Sequence, residues 1–489
     1  MRKRVCIKRS LTLIVLFCLE IAKLSSNETN ILGKTTYFDN LSSSDEKFME
    51  SYISDQILLP RTIYILKNNG QVNQNLNIYA RNIFMTLSPN YSVDLTSECS
   101  DGEIGRWFYP DKSYFDDLSG SHNNCQLTVY AKSNSEELVK TSKIQVVDTN
   151  NDKPVRLLPI GDSLTRAGAY LVEIEKELPN IVTLGTRYYL DDQKPPREGR
   201  GGWTLEDYFT FNNEKELDSP FLFPIGVEAQ RYKGNTRDWK RICYTNCKDY
   251  AYDGFQKLAR GWKDEGEFLY TQEGYYKYPT IGDVMYNPEL EEGFRWIAWN
   301  GHAWESMMNQ PKGVEFDFTK YMIKNKMAFE AGTPTHVSIL LGANEFGLGK
   351  KIYYIDTFIN QLNQMIDSIH EFDSNIKVIV CLPVLGPDPQ PVTSWMRNVY
   401  IDYNYCIKYA SYHLIQAFDT DEALKRNIYL APMTLTVDTR NGFNYVQRVE
   451  EVDGIKSLVI NSDNSIHPNN HIGQVQMGNT LAAVIQKYR

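Results

Sequence analysis

Histidine and cysteine are scarce in this chain, and positive charge is not in excess. Its 489 residues include 7 His and 8 Cys, and 52 Lys and Arg stand against 61 Asp and Glu, a net charge of −9. A protein whose main task is holding nucleic acid needs clustered cations to neutralise phosphate. The charge balance speaks against that role. Long apolar runs are missing as well. Leu11–Leu19 is apolar but for one Thr, and no other stretch approaches the about 20 residues that a membrane-spanning helix takes. There are no internal repeats. Hydrophobic residues at 42% and charged residues at 23% are ordinary globular values, which excludes collagen, coiled-coil and wholly disordered chains. At about 150 residues per domain, length alone gives roughly three domains.

The cations that are present gather at the start. Residues 1–26 carry Arg2, Lys3, Arg4, Lys8, Arg9 and Lys23 against one acid, Glu20. The remainder holds 46 basic and 60 acidic residues, a net charge of −14. A basic segment followed by a short apolar run has the form of a secretory signal peptide. Ala22, Ser25 and Ser26 offer cleavage positions. The expectation is a signal over residues 1–26 and a secreted, periplasmic or cell-surface protein without a membrane span. Cys18 offers a lipoprotein anchor as the alternative, against which stands the bulky Phe17 before it. Six cysteines lie beyond the signal, and an even number in an exported chain suggests disulfides. The pairs considered are Cys99–Cys125, Cys243–Cys247 and Cys381–Cys406. Cys381 ends an apolar run, so a buried thiol is the other reading for it. The Cys243–Cys247 pair has no second cysteine or histidine pair to complete a zinc site.

Residues 27–150 read as all-β. The short runs Thr62–Leu66, Leu76–Met85, Gln126–Ala131 and Lys143–Val147 alternate with polar turn clusters. One small β-sandwich is expected, ending at the polar turn Asp148–Lys153 before Pro154. Residues 151–489 read as α/β. Val155–Ile160, Ile181–Leu184, His336–Leu341, Ile376–Leu382 and Ile428–Ala431 have the composition of buried parallel strands. Ile355, Phe358, Ile359, Leu362, Met365, Ile366 and Ile369 form one helical face between two of them. Ala169–Leu178 and Gln474–Tyr488 also read as helices. A long insertion, about 205–335, holds Trp239, Trp262, Trp296, Trp299 and Trp304 and is rich in Tyr. An insertion leaving one strand end usually lies over the ligand crevice. Most of its rings are expected to be structural.

Four short blocks carry the chemistry. Gly161-Asp162-Ser163-Leu164-Thr165 follows the first strand, and Glu198-Gly199-Arg200-Gly201-Gly202-Trp203-Thr204 follows the second. Gly342-Ala343-Asn344-Glu345 follows the third, and Asp463-Asn464-Ser465-Ile466-His467-Pro468 precedes the last helix. A serine at a strand-to-helix turn lies at the carboxyl edge of a sheet, beside backbone N–H groups able to hold an oxyanion. Asp-Ser before a helix is more often a simple N-cap. With His467 as base and Gly202 N–H and the Asn344 amide as donors, the set fills the roles of a serine hydrolase.

In their order and placement these blocks resemble the SGNH/GDSL hydrolase superfamily over roughly Val155–Arg489. The resemblance implies a flavodoxin-like three-layer α/β/α domain with a five-stranded parallel sheet, here preceded by the all-β sandwich. It implies Ser163 as nucleophile, His467 as base, and Ser163 N–H, Gly202 and Asn344 as the oxyanion hole. The runs around Ser163 and Gly202 are most similar to exported members that deacylate carbohydrates. Two positions depart from the family pattern. Glu345 stands where Asp is usual, and Asn464 stands where Asp usually precedes the histidine by three residues. Asp463, Asn464 or a backbone carbonyl is left as the group orienting His467.

The expected activity is hydrolysis of O-acyl, foremost O-acetyl, esters on a carbohydrate. The alternatives are a lipase or phospholipid acylhydrolase with the same machinery, and a glycan-binding protein with a decayed site. The expected partner is an acylated glycan, with neither nucleic acid nor cofactor nor catalytic metal. Trp203 either stacks on a sugar or packs its loop. His302 either contacts substrate or is structural, and His471, four residues after His467, is set in a loop by Pro468 and Asn469.

Overall fold

The computed structural model describes residues 57–68, 71–72, 78–85, 92–99, 104–107, 124–132, 137–188, 194–211, 219–235, 268–269, 280–288, 290–349, 351–387, 397–452, 455–462 and 466–489. Among the described residues six strands precede Pro154: β1 (Thr62–Asn68), β2 (Gln71–Val72), β3 (Ser92–Cys99), β4 (Ile104–Trp107), β5 (Asn124–Lys132) and β6 (Glu137–Asp148). They pair in the order β2-β1-β6-β5-β3-β4, with β1 parallel to β6 and the other pairs antiparallel. Among the described residues this is one sheet, where the sequence reading expected the two sheets of a sandwich.

The cover that a second sheet would give comes from the rest of the chain. Along β1, Ile63 and Ile65 join one core cluster while Leu66 joins another, packed with the last helix. Tyr64 and Tyr488 hydroxyls lie 2.6 Å apart, and Gln486 Nε2 donates to the carbonyls of Asp148 and Asn151 at 3.0 Å. The expected strand Leu76–Met85 is also corrected, since Ala80–Ile83 is a helical turn. Long-range bonds decide its shape. Buried Asn82 Nδ2 donates to the carbonyls of Thr434 and Val437, both at 2.9 Å.

The β3–β5 register sets Cys99 opposite Cys125, and Cys125 is buried and disulfide-bonded. Cys381 and Cys406 are both buried thiols, so a bridge between them is not formed. Cys243 and Cys247 lie outside the described residues, as does the whole segment read as a signal.

After Pro154 strands alternate with helices. The strands of the main sheet among the described residues are β7 (Val155–Gly161), β8 (Ile181–Thr183), β9 (Glu198–Gly199), β10 (His336–Leu340), β11 (Lys377–Cys381) and β12 (Ile428–Ala431). All pair in parallel. Both β8 and β9 lie beside β7, one at its start and one at its end, followed by β10, β11 and β12. Five strands were expected, and among the described residues the sheet has six. The extra one, β9, is only Glu-Gly and has no apolar pattern to reveal it. Its neighbours do. Val378 and Val380 face one core cluster, and Ile379 and Cys381 face the other. A strand buried on both faces needs an unbroken apolar run.

The helices around this sheet are α1 (Ser163–Ala167), α2 (Ala169–Glu177), α3 (Ile355–Phe372), α4 (Arg397–Phe418) and α5 (Gly473–Lys487). Gly168 separates α1 from α2 at a φ of 67°, which favours glycine. The buried face of α3 is Ile355, Phe358, Leu362, Met365, Ile366 and Ile369. Each such side chain contributes about 1.5–3 kcal/mol by leaving water. Helices α2 and α5 cover one side of the sheet, and α3 and α4 the other. No helix among the described residues is long and apolar enough to cross a membrane.

The described part of the insertion has its own small sheets. Leu222–Pro224 pairs with Val314–Phe316, and Tyr232–Asn235, Val284–Tyr286, Trp296–Trp299 and Trp304–Ser306 form a four-stranded sheet. Trp296 lies 4.9 Å from Tyr286 and 6.0 Å from Tyr232 between ring centroids. Trp296 and Trp299 are buried, so these rings build a core. Trp239 and Trp262 lie outside the described residues.

Candidate active site

The site forms where β7 runs into α1. A Cβ on Gly161 would lie 2.2 Å from Thr165 Oγ1 and 2.6 Å from the Leu340 carbonyl, so the turn needs glycine. Asp162 then caps the helix, its carboxylate oxygen accepting the Leu164 N–H at 2.9 Å. Burial pushes the Asp162 carboxyl up to about 7. The simple N-cap role is thus taken by Asp162. Ser163 is left half-buried, and its Oγ lies 2.8 Å from His467 Nε2.

His467 arrives from the opposite end of the chain. Asn469 shapes the turn after it, with Oδ1 accepting the N–H groups of Ile472 at 2.8 Å and His471 at 3.2 Å. His471 is exposed in that turn. Burial first, and the nearby Arg166 cation second, hold the His467 pKa below the ordinary imidazole value. Both favour the neutral ring, and in the tautomer protonated at Nδ1 its Nε2 is free to accept a hydrogen bond from the Ser163 hydroxyl. Asp463 and Asn464 lie outside the described residues, so the choice between them as orienting group stays as the sequence left it.

The Gly202 block is bound to the same turn. Strand β9 pairs Glu198 with Ile160 and Gly199 with Gly161. Arg200 N–H donates to the Gly161 carbonyl at 2.9 Å, and so does Tyr208 hydroxyl at 2.8 Å. Behind it lies a buried network. Glu198 accepts from Arg200 at 2.8 Å, from Thr186 N–H at 2.6 Å and from Tyr321 hydroxyl at 2.7 Å. Gly202 itself is exposed and has a φ of 68°.

Gly342, at a φ of 114°, turns β10 into a π-helical segment, Ala343–Leu348. There the Asn344 amide nitrogen donates to the Trp203 carbonyl at 2.7 Å. An amide carries two such hydrogens, so one remains for another acceptor. Glu345 is buried, and one of its carboxyl oxygens accepts the Leu205 N–H. Burial raises its pKa to about 8.

The structure therefore brings Ser163 and His467 together, and it joins the Gly202 and Asn344 blocks through Trp203. Trp203 is 5% exposed and meets Tyr208 edge-on at 5.0 Å. Its ring packs the loop. His302 is exposed at the tip of the Trp299–Trp304 hairpin, where its N–H donates to Asn300 Oδ1 at 2.8 Å. Among the described residues it is outside the Ser163–His467 hydrogen bond. Arg166, Glu198 and the contacts of Glu345 were not assigned from sequence. Glu198 and Arg200 stood in the second block and Arg166 three residues after Ser163, but only the fold shows what they touch.

No family model matches the chain, and no curated protein matches it. Among solved structures, similarity is found to a mutant acetyl esterase crystallised with acetate ion, and to a carbohydrate esterase family 3 protein from Talaromyces cellulolyticus. Each is 14% identical, with a TM-score of 0.29 over 68% of this chain and 98% of the other.

Proposed function

We propose that this chain is an exported serine esterase of the SGNH/GDSL type that removes O-acyl groups, foremost acetyl, from a carbohydrate. The observation that carries the reading is the 2.8 Å contact between Ser163 Oγ and His467 Nε2 at the carboxyl ends of a parallel sheet. Ligand sites in open α/β sheets lie at such ends. The basic and apolar start of the sequence supports export.

Ser163 Oγ attacks the ester carbonyl carbon while its proton passes to His467 Nε2. The tetrahedral oxyanion is held by the N–H groups of Ser163 and Gly202 and by the second hydrogen of the Asn344 amide. The C–O bond to the sugar breaks, and the departing oxygen takes the proton from His467. The acetyl group is then an ester of Ser163. Water gives a proton to His467 while its oxygen attacks the acyl carbonyl carbon; the bond from that carbon to Ser163 Oγ then breaks, Oγ takes the proton back from His467, and the acid leaves.

The test is acetate release from a panel of acetylated polysaccharides and oligosaccharides, beside hydrolysis of 4-nitrophenyl acetate. Ser163→Ala is the control, and undiminished activity in it rejects the assignment. A preference for octanoyl over acetyl esters would move the reading to a lipase.

A further inference from the structure

Glu345 is a buried ionisable group that the proposed reaction does not use. It follows Asn344 directly and lies on the same π-helical turn. The two neighbours grip one short segment. Asn344 Nδ2 donates to the Trp203 carbonyl at 2.7 Å, and Glu345 Oε1 accepts the Leu205 N–H. That segment begins at Gly202, whose φ of 68° lies in the left-handed region that glycine enters freely, so its own backbone does little to fix where its N–H points.

We propose that Glu345 is a positioning residue for the oxyanion loop. Its carboxyl holds Leu205 while Asn344 holds Trp203, and together they fix the backbone that presents Gly202. The inference rests on the esterase reading, since it assigns a task to the loop of that same site.

Three observations favour this over a filling role. Glu345 is only 1% exposed, so its carboxyl is kept at a desolvation cost that an apolar side chain of equal size would not carry. Among the described residues its second oxygen, Oε2, is buried without a hydrogen-bond partner, while Oε1 takes the Leu205 N–H. The loop is also fixed from its other side, by Arg200 N–H on the Gly161 carbonyl. Fixing both flanks sets Gly202 relative to the Ser163 turn. A preorganised donor is worth most when it does not have to move as charge develops.

The experiment compares kcat and KM for 4-nitrophenyl acetate in the wild type, Glu345→Gln, Glu345→Met and Ser163→Ala. Gln keeps an acceptor for Leu205 N–H, and Met keeps the volume without one. We expect Gln to stay within about threefold of wild-type kcat and Met to lose about tenfold or more, with KM within about threefold in both. Equal thermal midpoints for Gln and Met would separate positioning from general destabilisation. A folded Met variant with wild-type kcat overturns the proposal. So does a tenfold loss in the Gln variant, which preserves shape and acceptor and so decides the matter even where Met does not fold. Wild-type activity in Ser163→Ala would instead sink the esterase reading itself. A silent Ser163→Ala with an unaffected Glu345→Met sinks only the positioning role.

Discussion

Gly199 and Arg166 meet backbone to backbone: a Cβ built on Gly199 would lie 2.1 Å from the Arg166 nitrogen. One residue belongs to β9, which leads into the Gly202 loop. The other belongs to α1, which begins at Ser163. The nucleophile turn and the loop proposed to hold the oxyanion are thus packed against each other with no side chain between. Their relative placement is a property of glycine at that position.

Gly199→Ala should therefore damage stability and turnover together. Backbone atoms cannot rotate away as a side chain can. The expected loss of stability is about 1–3 kcal/mol, as for other overpacked sites. Turnover on 4-nitrophenyl acetate should fall further than the melting curve accounts for, because β9 must shift relative to α1. Thermal unfolding and kcat on the same preparation test this. A fully active, equally stable variant would show that the contact is easily relieved.

Asn344→Ala removes two things at once: the bond to the Trp203 carbonyl and the proposed donor to the oxyanion. Loss of one oxyanion donor typically lowers kcat about 10²–10³-fold. KM should change little, because the interaction grows only as the carbonyl oxygen gains charge. Asn344→Asp should be at least as poor, since a carboxylate repels the oxyanion. Steady-state kinetics on both variants decide it. A rise in KM with kcat intact would place Asn344 in ground-state binding instead.

The depressed pKa of His467 sets a pH dependence. As a base the ring must be neutral, so the acid limb of kcat/KM should fall below the ordinary imidazole value of 6.5. Arg166 is the second cause of the depression, after burial. Arg166→Gln removes its cation, so the limb should move to higher pH. A pH–rate profile for wild type and variant reads both directions. An unmoved limb would mean that the Arg166 charge does not reach the ring.

Asn82 gives a prediction about the N-terminal sheet. Its amide donates to two carbonyls of the segment following β12, those of Thr434 and Val437, across more than 350 residues of chain. Asn82→Ala would leave both without that donor in a buried place. The expected cost is about 1–3 kcal/mol. Because the core clusters run through both sheets, a single cooperative unfolding transition should persist at a lower temperature. Two separate transitions in calorimetry would show that the sheets unfold independently.

What the sequence revealed divides along physical lines. The long buried strands declare themselves, because burial on both faces demands apolar runs such as Val378–Cys381. The face of α3 is legible for the same reason. Ser163 and His467 were placed by short local motifs. The structure adds the 2.8 Å distance between them, which no local pattern contains. Strand β9 is illegible because two residues carry no period. The helical turn at Ala80–Ile83 is illegible because its cause, the bonds of Asn82, lies at the other end of the chain. Glu345 stood in plain sight as a departure from a family pattern. Its contact with Leu205 needed the fold.

Buried acids and buried histidines pull stability in opposite directions with pH, and the carboxyls outlast the histidines. The folded-state pKa of Asp162 is raised from 3.8 to about 7, and that of Glu345 from 4.5 to about 8, both by burial. Between each pair of values the folded chain holds a proton that the unfolded chain has lost. Rising pH therefore destabilises the fold until the folded pKa is passed. His336 and His413 are lowered by burial from 6.5 to about 3 and about 4. There the unfolded chain holds the extra proton, so rising pH stabilises the fold, an effect that fades above 6.5. Below that value the contributions oppose one another. From pH 6.5 to 8 that opposition dies away as the unfolded histidines lose their remaining protons, and a full proton of difference is worth about 1.4 kcal/mol per pH unit. Urea unfolding should therefore give a lower free energy at pH 8 than at pH 6.5, by an amount on the order of 1–2 kcal/mol. Glu345→Gln has no proton to lose, so it should flatten much of that slope. A wild-type stability that is level or rising over this window would show that Asp162 and Glu345 are ionised in the fold, and the neutral buried carboxyl behind the Gly202 loop would have to be abandoned.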